Sequence, residues 1–172
     1  LTGHLVLSTL HTNDAASAVT RQIDMEIEPF LITSSVIAIV AQRLVRVLCP
    51  QCRQPYIPDR QSLTNIGLSP EMAENATIYR KGGCSACMNT GYHGRTAIME
   101  LMVMEESLKH MILKTSDSNA IHQEAVECGM LPLLQDGAHK VLEGITTIEE
   151  VLRVTRVLKT RSRKRTASHP GA

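Results

Sequence analysis

The 172-residue sequence contains no Trp and a single Phe, Phe30, together with three Tyr. Its hydrophobic core must therefore be aliphatic, built from Leu, Ile, Val, Met and Ala. No run of 18 apolar residues occurs, and no charged segment followed by an apolar one opens the chain, so the sequence predicts neither a transmembrane helix nor a signal peptide. This length suits one domain, or one domain with an insertion. Leu1 is not an initiator methionine, so we expect the chain to begin inside the fold of a larger protein.

Acidic residues are absent from the last fourteen positions, residues 159–172. The basic residues of this segment are Lys159, Arg161, Arg163, Lys164 and Arg165. Without these five, 13 basic residues stand against 17 acidic ones, so the body of the chain is mildly acidic although the formal net charge is +1. The basic segment is predicted to be a disordered, solvated tail. Contact of this tail with anionic lipid or nucleic acid stays open.

Four of the five cysteines form two identically spaced pairs, Cys49 with Cys52 and Cys84 with Cys87, and 31 residues separate the pairs. Two such CxxC knuckles predict a tetrahedral zinc site. The alternatives are two disulfides or a coincidence of spacing. Four protein ligands leave no open position, so this zinc would stabilise structure and perform no catalysis. Reduced, metal-bound cysteines indicate a reducing compartment, and we expect a cytoplasmic protein.

The order of apolar patterns and helix caps predicts an α/β fold with a parallel component to its sheet. Strands are predicted at residues 3–10, 44–48 and 95–103. Helices are predicted at residues 15–25, 30–43, 106–114, 118–129, 132–143 and 148–158. Thr146 and Glu149 form a capping box for the last helix. The segment between the two cysteine pairs has little periodicity and several prolines, which favours a small subdomain held by the metal.

Two histidines flank the first predicted strand, His4 within it and His11 just beyond it. The carboxyl end of a strand in an α/β sheet is where ligands bind, and an imidazole there can donate to a phosphate oxygen. The structural alternative is that His4 is a packed strand residue and His11 an ordinary loop residue.

Residues 2–15 read TGHLVLSTLHTNDA, which closely resembles the histidine box of the secretion-superfamily traffic ATPases. These are the hexameric P-loop motors of type II secretion and type IV pilus assembly. The resemblance continues in order through EPF at 28–30, AQRLVR at 41–46, CPQC at 49–52, GCSAC at 83–87, TGYHGRT at 90–96, EL at 100–101, QDG at 135–137 and GITTIEEVLRVT at 144–155. Within the superfamily the chain looks most like the type II secretion ATPases, and the pilus assembly ATPases are the alternative.

The resemblance implies the carboxy-terminal part of a RecA-like P-loop ATPase domain with an inserted tetracysteine zinc subdomain and a helical carboxy-terminal cap. The implied segments are a partial ATPase core at residues 1–48, a zinc insertion at 49–90, a return strand at 91–104, a helical cap at 105–158 and a basic tail at 159–172. The implied partners are identical subunits of a hexamer and inner-membrane components of a secretion system, with no nucleic acid.

The resemblance also assigns roles to individual residues. Cys49, Cys52, Cys84 and Cys87 match the zinc element of the family. His4 and His11 match the histidine box, which would couple the state of the ATP γ-phosphate to movement, and Arg95 would lie near the nucleotide. ATP and Mg²⁺ are the implied cofactors of the whole protein.

Two departures from the family pattern qualify these expectations. Glu26 stands where family members usually have glycine; if that position needs a positive φ, the turn is strained by about 1–2 kcal/mol. No G-x-x-x-x-G-K-[ST] motif occurs in the sequence. We expect the P-loop and the Mg²⁺-positioning acids to lie upstream of Leu1, and the chain by itself to hydrolyse no ATP, because the phosphate cradle supplies most of the charge stabilisation in phosphoryl transfer.

A function of another class, a zinc-ribbon module whose basic tail binds nucleic acid, also accounts for the cysteines. The near absence of aromatic side chains that could stack on bases disfavours it. Dithiol redox chemistry is weaker still, because each CxxC pair has a ready partner pair.

Overall fold

The structure, a computed structural model, describes residues 3–155. Its helices are α1 (Ala15–Asp24), α2 (Pro29–Ser35), α3 (Arg60–Asn65), α4 (Pro70–Glu74), α5 (Glu106–Lys114), α6 (Ser118–Glu127), α7 (Leu133–Leu142) and a last segment, α8, over residues 148–155. Its strands are β1 (Ala38–Leu48), β2 (Gln54–Pro55), β3 (Tyr79–Arg80) and β4 (Tyr92–Val103). Within the described range, none of the helices is long and apolar enough to cross a membrane.

The chain divides into two compact units, and the first comprises Leu1–Ala41, of which the structure describes residues from 3 onward, and Leu101–Met130. Helices α1, α2, α5 and α6 of this unit pack around one aliphatic core. Its fully enclosed members include Ala15, Ala16, Val19, Ile32, Met102, Leu108, Ile112 and Ile121. The core contains no aromatic ring, as the composition predicts.

Helix α1 has a defined start and a strained end. The Asp14 side chain accepts a 2.7 Å hydrogen bond from the Ser17 N–H, which caps the first turn. At the other end, the N–H of Ile27 donates to the carbonyl of Gln22 at 3.2 Å, and Glu26 adopts a φ of 64°. This is a Schellman ending, whose left-handed residue is usually glycine. The condition under which Glu26 would strain this turn, a positive φ, is therefore met.

The second unit comprises Gln42–Glu100 and Leu131–Ala172, of which the structure describes residues up to 155. Its core joins the small helices of the segment between the cysteine pairs to α7 and α8. The buried residues of this core are Leu63, Ile66, Leu68, Ile78, Ala138, Val141, Ile148 and Val151. The helices on either side of residue 130 therefore belong to different cores.

Two antiparallel strand pairs are present in the described residues. β2 pairs with β3. β1 pairs with β4, and their antiparallel direction follows from two hydrogen bonds: the Met104 N–H donates to the Ile37 carbonyl at one end, and the Cys49 N–H donates to the Gly91 carbonyl at the other. The predicted parallel component is wrong for the part of the chain that the structure describes.

The predicted strand at residues 3–10 is also wrong, because this segment is irregular and exposed. Leu5 is 74% exposed and Leu7 89% exposed. An apolar, β-branched run becomes a strand only when another strand satisfies its backbone groups, and no described strand pairs with this segment.

The helix predicted over residues 30–43 is correct only in its first half. α2 begins at Pro29, which suits the first helical turn, and it ends at Ser35. β1 starts at Ala38 and continues through the residues assigned to the helix. The β-branched residues Ile37, Ile39 and Val40 favour the extended conformation once β4 supplies a partner.

The later helices follow the sequence closely. α5 has the predicted bounds, and α6 and α7 differ from theirs by one or two residues. The cap of α8 is shifted by one position from the predicted Thr146: Thr147 Oγ1 accepts the N–H of Glu150 at 3.3 Å, and the helix begins at Ile148. The predicted basic tail, residues 159–172, lies outside the described residues.

Candidate metal centre

One end of the antiparallel β1–β4 pair delivers both cysteine knuckles. Cys49 follows the last residue of β1, and the N–H of Arg53 donates back to its carbonyl at 3.0 Å, which closes a tight turn around Cys52. Cys84 begins a short 3-10 turn, Ser85–Cys87, just before β4. Both pairs therefore arise from turns that fold each CxxC segment back on itself.

The four sulfur atoms form one cluster, with every Sγ within 4.8 Å of the others. Sγ separations are 3.9 Å for Cys49–Cys84 and 3.7 Å for both Cys52–Cys87 and Cys84–Cys87. Four thiolates placed tetrahedrally around zinc at about 2.3 Å stand about 3.8 Å apart. The separations exclude disulfide bonds, whose sulfurs lie about 2.05 Å apart. The cysteines are free thiols, and their arrangement fits a tetrahedral metal ion.

Backbone N–H groups aim at one of these sulfurs. Cys87 Sγ accepts from the N–H of Gly91 at 3.2 Å and from the N–H of Cys84 at 3.4 Å. Burial alone would raise the pKa of Cys87, but these hydrogen bonds outweigh it and lower the pKa to about 6. Burial and thiol contacts raise the pKa of Cys52 to about 12. Such N–H donors orient and stabilise metal-bound thiolates, and loading a metal displaces the remaining thiol protons.

Two glycines allow the knuckles to approach each other. A Cβ on Gly82 would lie 2.1 Å from the carbonyl oxygen of Cys52, and a Cβ on Gly91 would lie 2.5 Å from the carbonyl oxygen of Gly82. Gly91 also has a φ of 76°, which L-residues rarely adopt. The backbone near the sulfur cluster is packed too closely for side chains at these positions.

The remaining predicted site residues are all exposed. His4 and His11 lie in the irregular amino-terminal segment of the first unit, and Arg95 lies on β4 in the second unit. The structure thus brings the four predicted metal ligands together, whereas the roles of His4, His11 and Arg95 stay predictions.

A charged network in the second unit was not anticipated from the sequence. Glu150 is 2% exposed and accepts hydrogen bonds from the N–H of Arg46 at 3.1 Å, from the Arg46 guanidinium at 2.5 Å and from Arg153 at 2.9 and 3.1 Å. Burial would raise the pKa of Glu150, but the hydrogen bonds from Arg46 and Arg153 lower it to about 2. The three-residue spacing of Glu150 and Arg153 in the sequence indicates that they could pair on one face of a helix. Nothing in the sequence indicates the pairing of Glu150 with Arg46, which is 104 residues away.

A cluster of four cysteine sulfurs with N–H donors to sulfur could hold a metal ion, and such a ligand set is typical of a structural rather than a catalytic metal centre.

The family profile described as "Type II/IV secretion system protein" matches residues 1–153. The chain therefore belongs to this family.

Curated relatives agree with that membership. The chain is 50% identical over 156 residues to the type II secretion system protein E of Pseudomonas aeruginosa, a match that covers 91% of this chain and 30% of the relative. It is 49% identical, with the same coverage, to the type II secretion system protein E of Aeromonas hydrophila. The type IV pilus assembly ATPase PilB of Thermus thermophilus is 46% identical over 152 residues, covering 88% of this chain and 17% of the relative. The chain thus spans less than a third of the length of these relatives.

Proposed function

We propose that this chain is the carboxy-terminal part of a hexameric cytoplasmic ATPase that powers protein export by type II secretion. The observation that carries the proposal is the colinear match over 91% of the chain, at 50% identity, to a type II secretion system protein E. Family membership favours this motor over a nucleic-acid-binding module. The whole protein would act at the inner membrane through partner proteins of the secretion system.

In this proposal residues 1–48 and 91–104 belong to a RecA-like ATPase core, and residues 105–158 form its helical cap. His4 and His11 report whether the γ-phosphate of MgATP is present, and Arg95 lies near the nucleotide. The exposure of all three side chains supports these roles, since a group that contacts nucleotide in an assembled ring has to be accessible before assembly. ATP and Mg²⁺ bind through parts of the whole protein that carry the phosphate cradle.

Residues 49–90 form a zinc subdomain in the same proposal. Four thiolates suit zinc among the divalent metals available in cells. When bound, the ion supplies a cross-link between the two knuckles and no open coordination position. Cys49, Cys52, Cys84 and Cys87 hold it, and the N–H groups of Cys84 and Gly91 orient the Cys87 sulfur.

The proposal is tested by His11→Ala in the full-length protein, with His93→Ala, another exposed histidine, as the matched control. We expect His11→Ala to lower both MgATP hydrolysis and the export of secreted proteins into the medium, and His93→Ala to change neither. The role assigned to His11 is wrong if hydrolysis and export both persist at control levels.

Assembly of type IV pili is the second candidate, favoured by the 46% identity to the pilus ATPase of Thermus thermophilus. Deleting the gene in the source organism distinguishes the two. Loss of exported proteins with intact surface pili supports type II secretion; loss of pili with normal export supports the pilus motor and overturns our proposal.

A further inference from the structure

The second unit contains a cleft of about 250 Å³ on which cationic side chains converge. We name it the Tyr92 cleft; it is lined by Arg46, Arg80, Lys81, Tyr92, Glu149, Glu150 and Arg153. Its residues come from the two long strands, from the end of β3 and the residue after it, and from α8. None of them is a predicted metal ligand or a predicted nucleotide contact.

Two of its arginines are held in fixed positions by one buried carboxylate. Glu150 binds one N–H of the Arg46 guanidinium and two of the Arg153 guanidinium. A guanidinium has five N–H donors, so both arginines keep several that no described residue accepts. The guanidinium groups are accessible, since the side chains of Arg46 and Arg153 are 44% and 55% exposed. Because Glu150 already holds both arginine side chains in place, little further conformational entropy is lost when an anion binds here.

The Tyr92 ring provides a second contact for two of the cationic side chains, Arg46 and Lys81. The Arg46 guanidinium lies 4.2 Å from the centre of the Tyr92 ring, and the Lys81 ammonium lies 5.9 Å from it. Both distances are within the range of cation–π attraction. The hydroxyl of Tyr92 is in turn hydrogen-bonded to Thr147 Oγ1 at 3.0 Å, so the ring cannot rotate away without breaking a buried contact.

The charges of the cleft do not balance. Four cationic side chains face two carboxylates, which leaves a surplus of two positive charges. Arg80 and Lys81 account for that surplus, because neither forms a salt bridge with any carboxylate of residues 3–155. If the charged residues served only to hold α8 against the strands, the ion pairs of Glu150 with Arg46 and Arg153 would be enough. Arg80 and Lys81 would add nothing to that role.

We propose that the Tyr92 cleft binds a phosphate monoester group. Such a group carries a charge of about −1.5 to −2 near neutral pH, which matches the surplus of the cleft. Planar guanidinium groups suit its oxygens through paired hydrogen bonds. The same headgroup chemistry occurs in soluble phosphorylated metabolites and in phosphatidic acid, and the experiment separates these two sources.

The test uses the metal-loaded chain and two probes, glycerol 3-phosphate in solution and phosphatidylcholine vesicles with or without phosphatidic acid. The informative variant is Arg80→Gln combined with Lys81→Gln, which leaves the Glu150 network intact. Arg60→Gln removes one positive charge from the same unit outside the cleft and is the control. Vesicle binding is repeated without residues 159–172, because a segment with five basic residues and no acidic one is expected to attract anionic lipid independently of the cleft. Melting curves establish that each variant is folded.

We expect saturable binding of at least one probe, a loss of affinity of about tenfold or more in the double variant, little change in Arg60→Gln, and weaker binding at higher salt. Binding of glycerol 3-phosphate identifies a soluble ligand, and binding confined to phosphatidic acid identifies a lipid. The inference is overturned if neither probe binds, if the double variant binds as well as Arg60→Gln, or if the only binding is to vesicles and it depends on residues 159–172.

Discussion

Gly82 lies against the carbonyl oxygen of Cys52, at a distance that leaves no room for a methyl group: an added Cβ would be 2.1 Å from that oxygen. Gly82→Ala should therefore push the two knuckles apart and destabilise the second unit by about 1–3 kcal/mol. Metal content and thermal unfolding measure the effect. Gly83→Ala is the control, because a Cβ there meets no atom closer than 3.4 Å; equal behaviour of the two variants would show that the knuckles are not closely packed.

Removal of the metal should unfold the segment that the cysteines hold. We expect one zinc ion per chain and a large drop in melting temperature with a strong chelator, since a ligand at a hundred times its Kd stabilises by about 2.7 kcal/mol. Cys52→Ser should lose the metal. Cys128→Ser should keep it, because Cys128 is exposed at the end of α6, in the other unit. Metal binding that survives Cys52→Ser would refute the four-cysteine site.

Replacing Glu26 should stabilise the first unit. Its φ of 64° is strained for an L-residue, and Glu26→Gly should relieve about 1 kcal/mol after allowance for the greater freedom of glycine in the unfolded chain. Urea denaturation followed by a probe in the first unit measures the gain. Glu26→Ala removes the same carboxylate but keeps Cβ, so it should give no such gain; a gain as large as that of glycine would mean that charge, and not backbone strain, is responsible.

Glu150 should make the second unit sensitive to acid. Its folded pKa of about 2 lies below its ordinary value of 4.5, so the carboxylate contributes stability that is present above pH 4.5 and is lost as the pH falls towards 2. Glu150→Gln should cost about 2 kcal/mol at neutral pH.

The difference in stability between the wild-type chain and Glu150→Gln should shrink as the solution is acidified. Denaturation of both proteins over that range, at matched metal content, is the measurement. With metal content matched at each pH, a stability difference that stays constant with pH would argue that the Glu150 carboxylate is not held ionised by Arg46 and Arg153.

The sequence predicted the elements whose signals are local. The bounds of α5 follow from its own apolar spacing, and α7 ends at Leu142, two residues before Gly144. The cysteine cluster was predictable for the same reason, since each CxxC turn is a local structure. Four thiolates that come close together can do little other than share a metal ion or form disulfides.

Expectations that depended on distant partners were less successful. The apolar run at residues 36–43 is compatible in sequence with the end of a helix or with a strand, and the choice depends on β4, which begins 49 positions after Arg43. The run at residues 3–10 lacks any described partner and stays irregular. The Glu150 network was hidden because Arg46 approaches it only after β1, β4 and α8 have packed.

The helices after β4 divide between two cores, with α5 and α6 in the first unit and α7 and α8 in the second. We therefore expect a single unfolding curve for this chain to average two events that respond to different perturbations. Glu26 reports on one event, whereas Gly82 and Glu150 report on the other. Chelation acts directly on the second, and hydrogen exchange at Ala125 and Val141 would follow the two events separately.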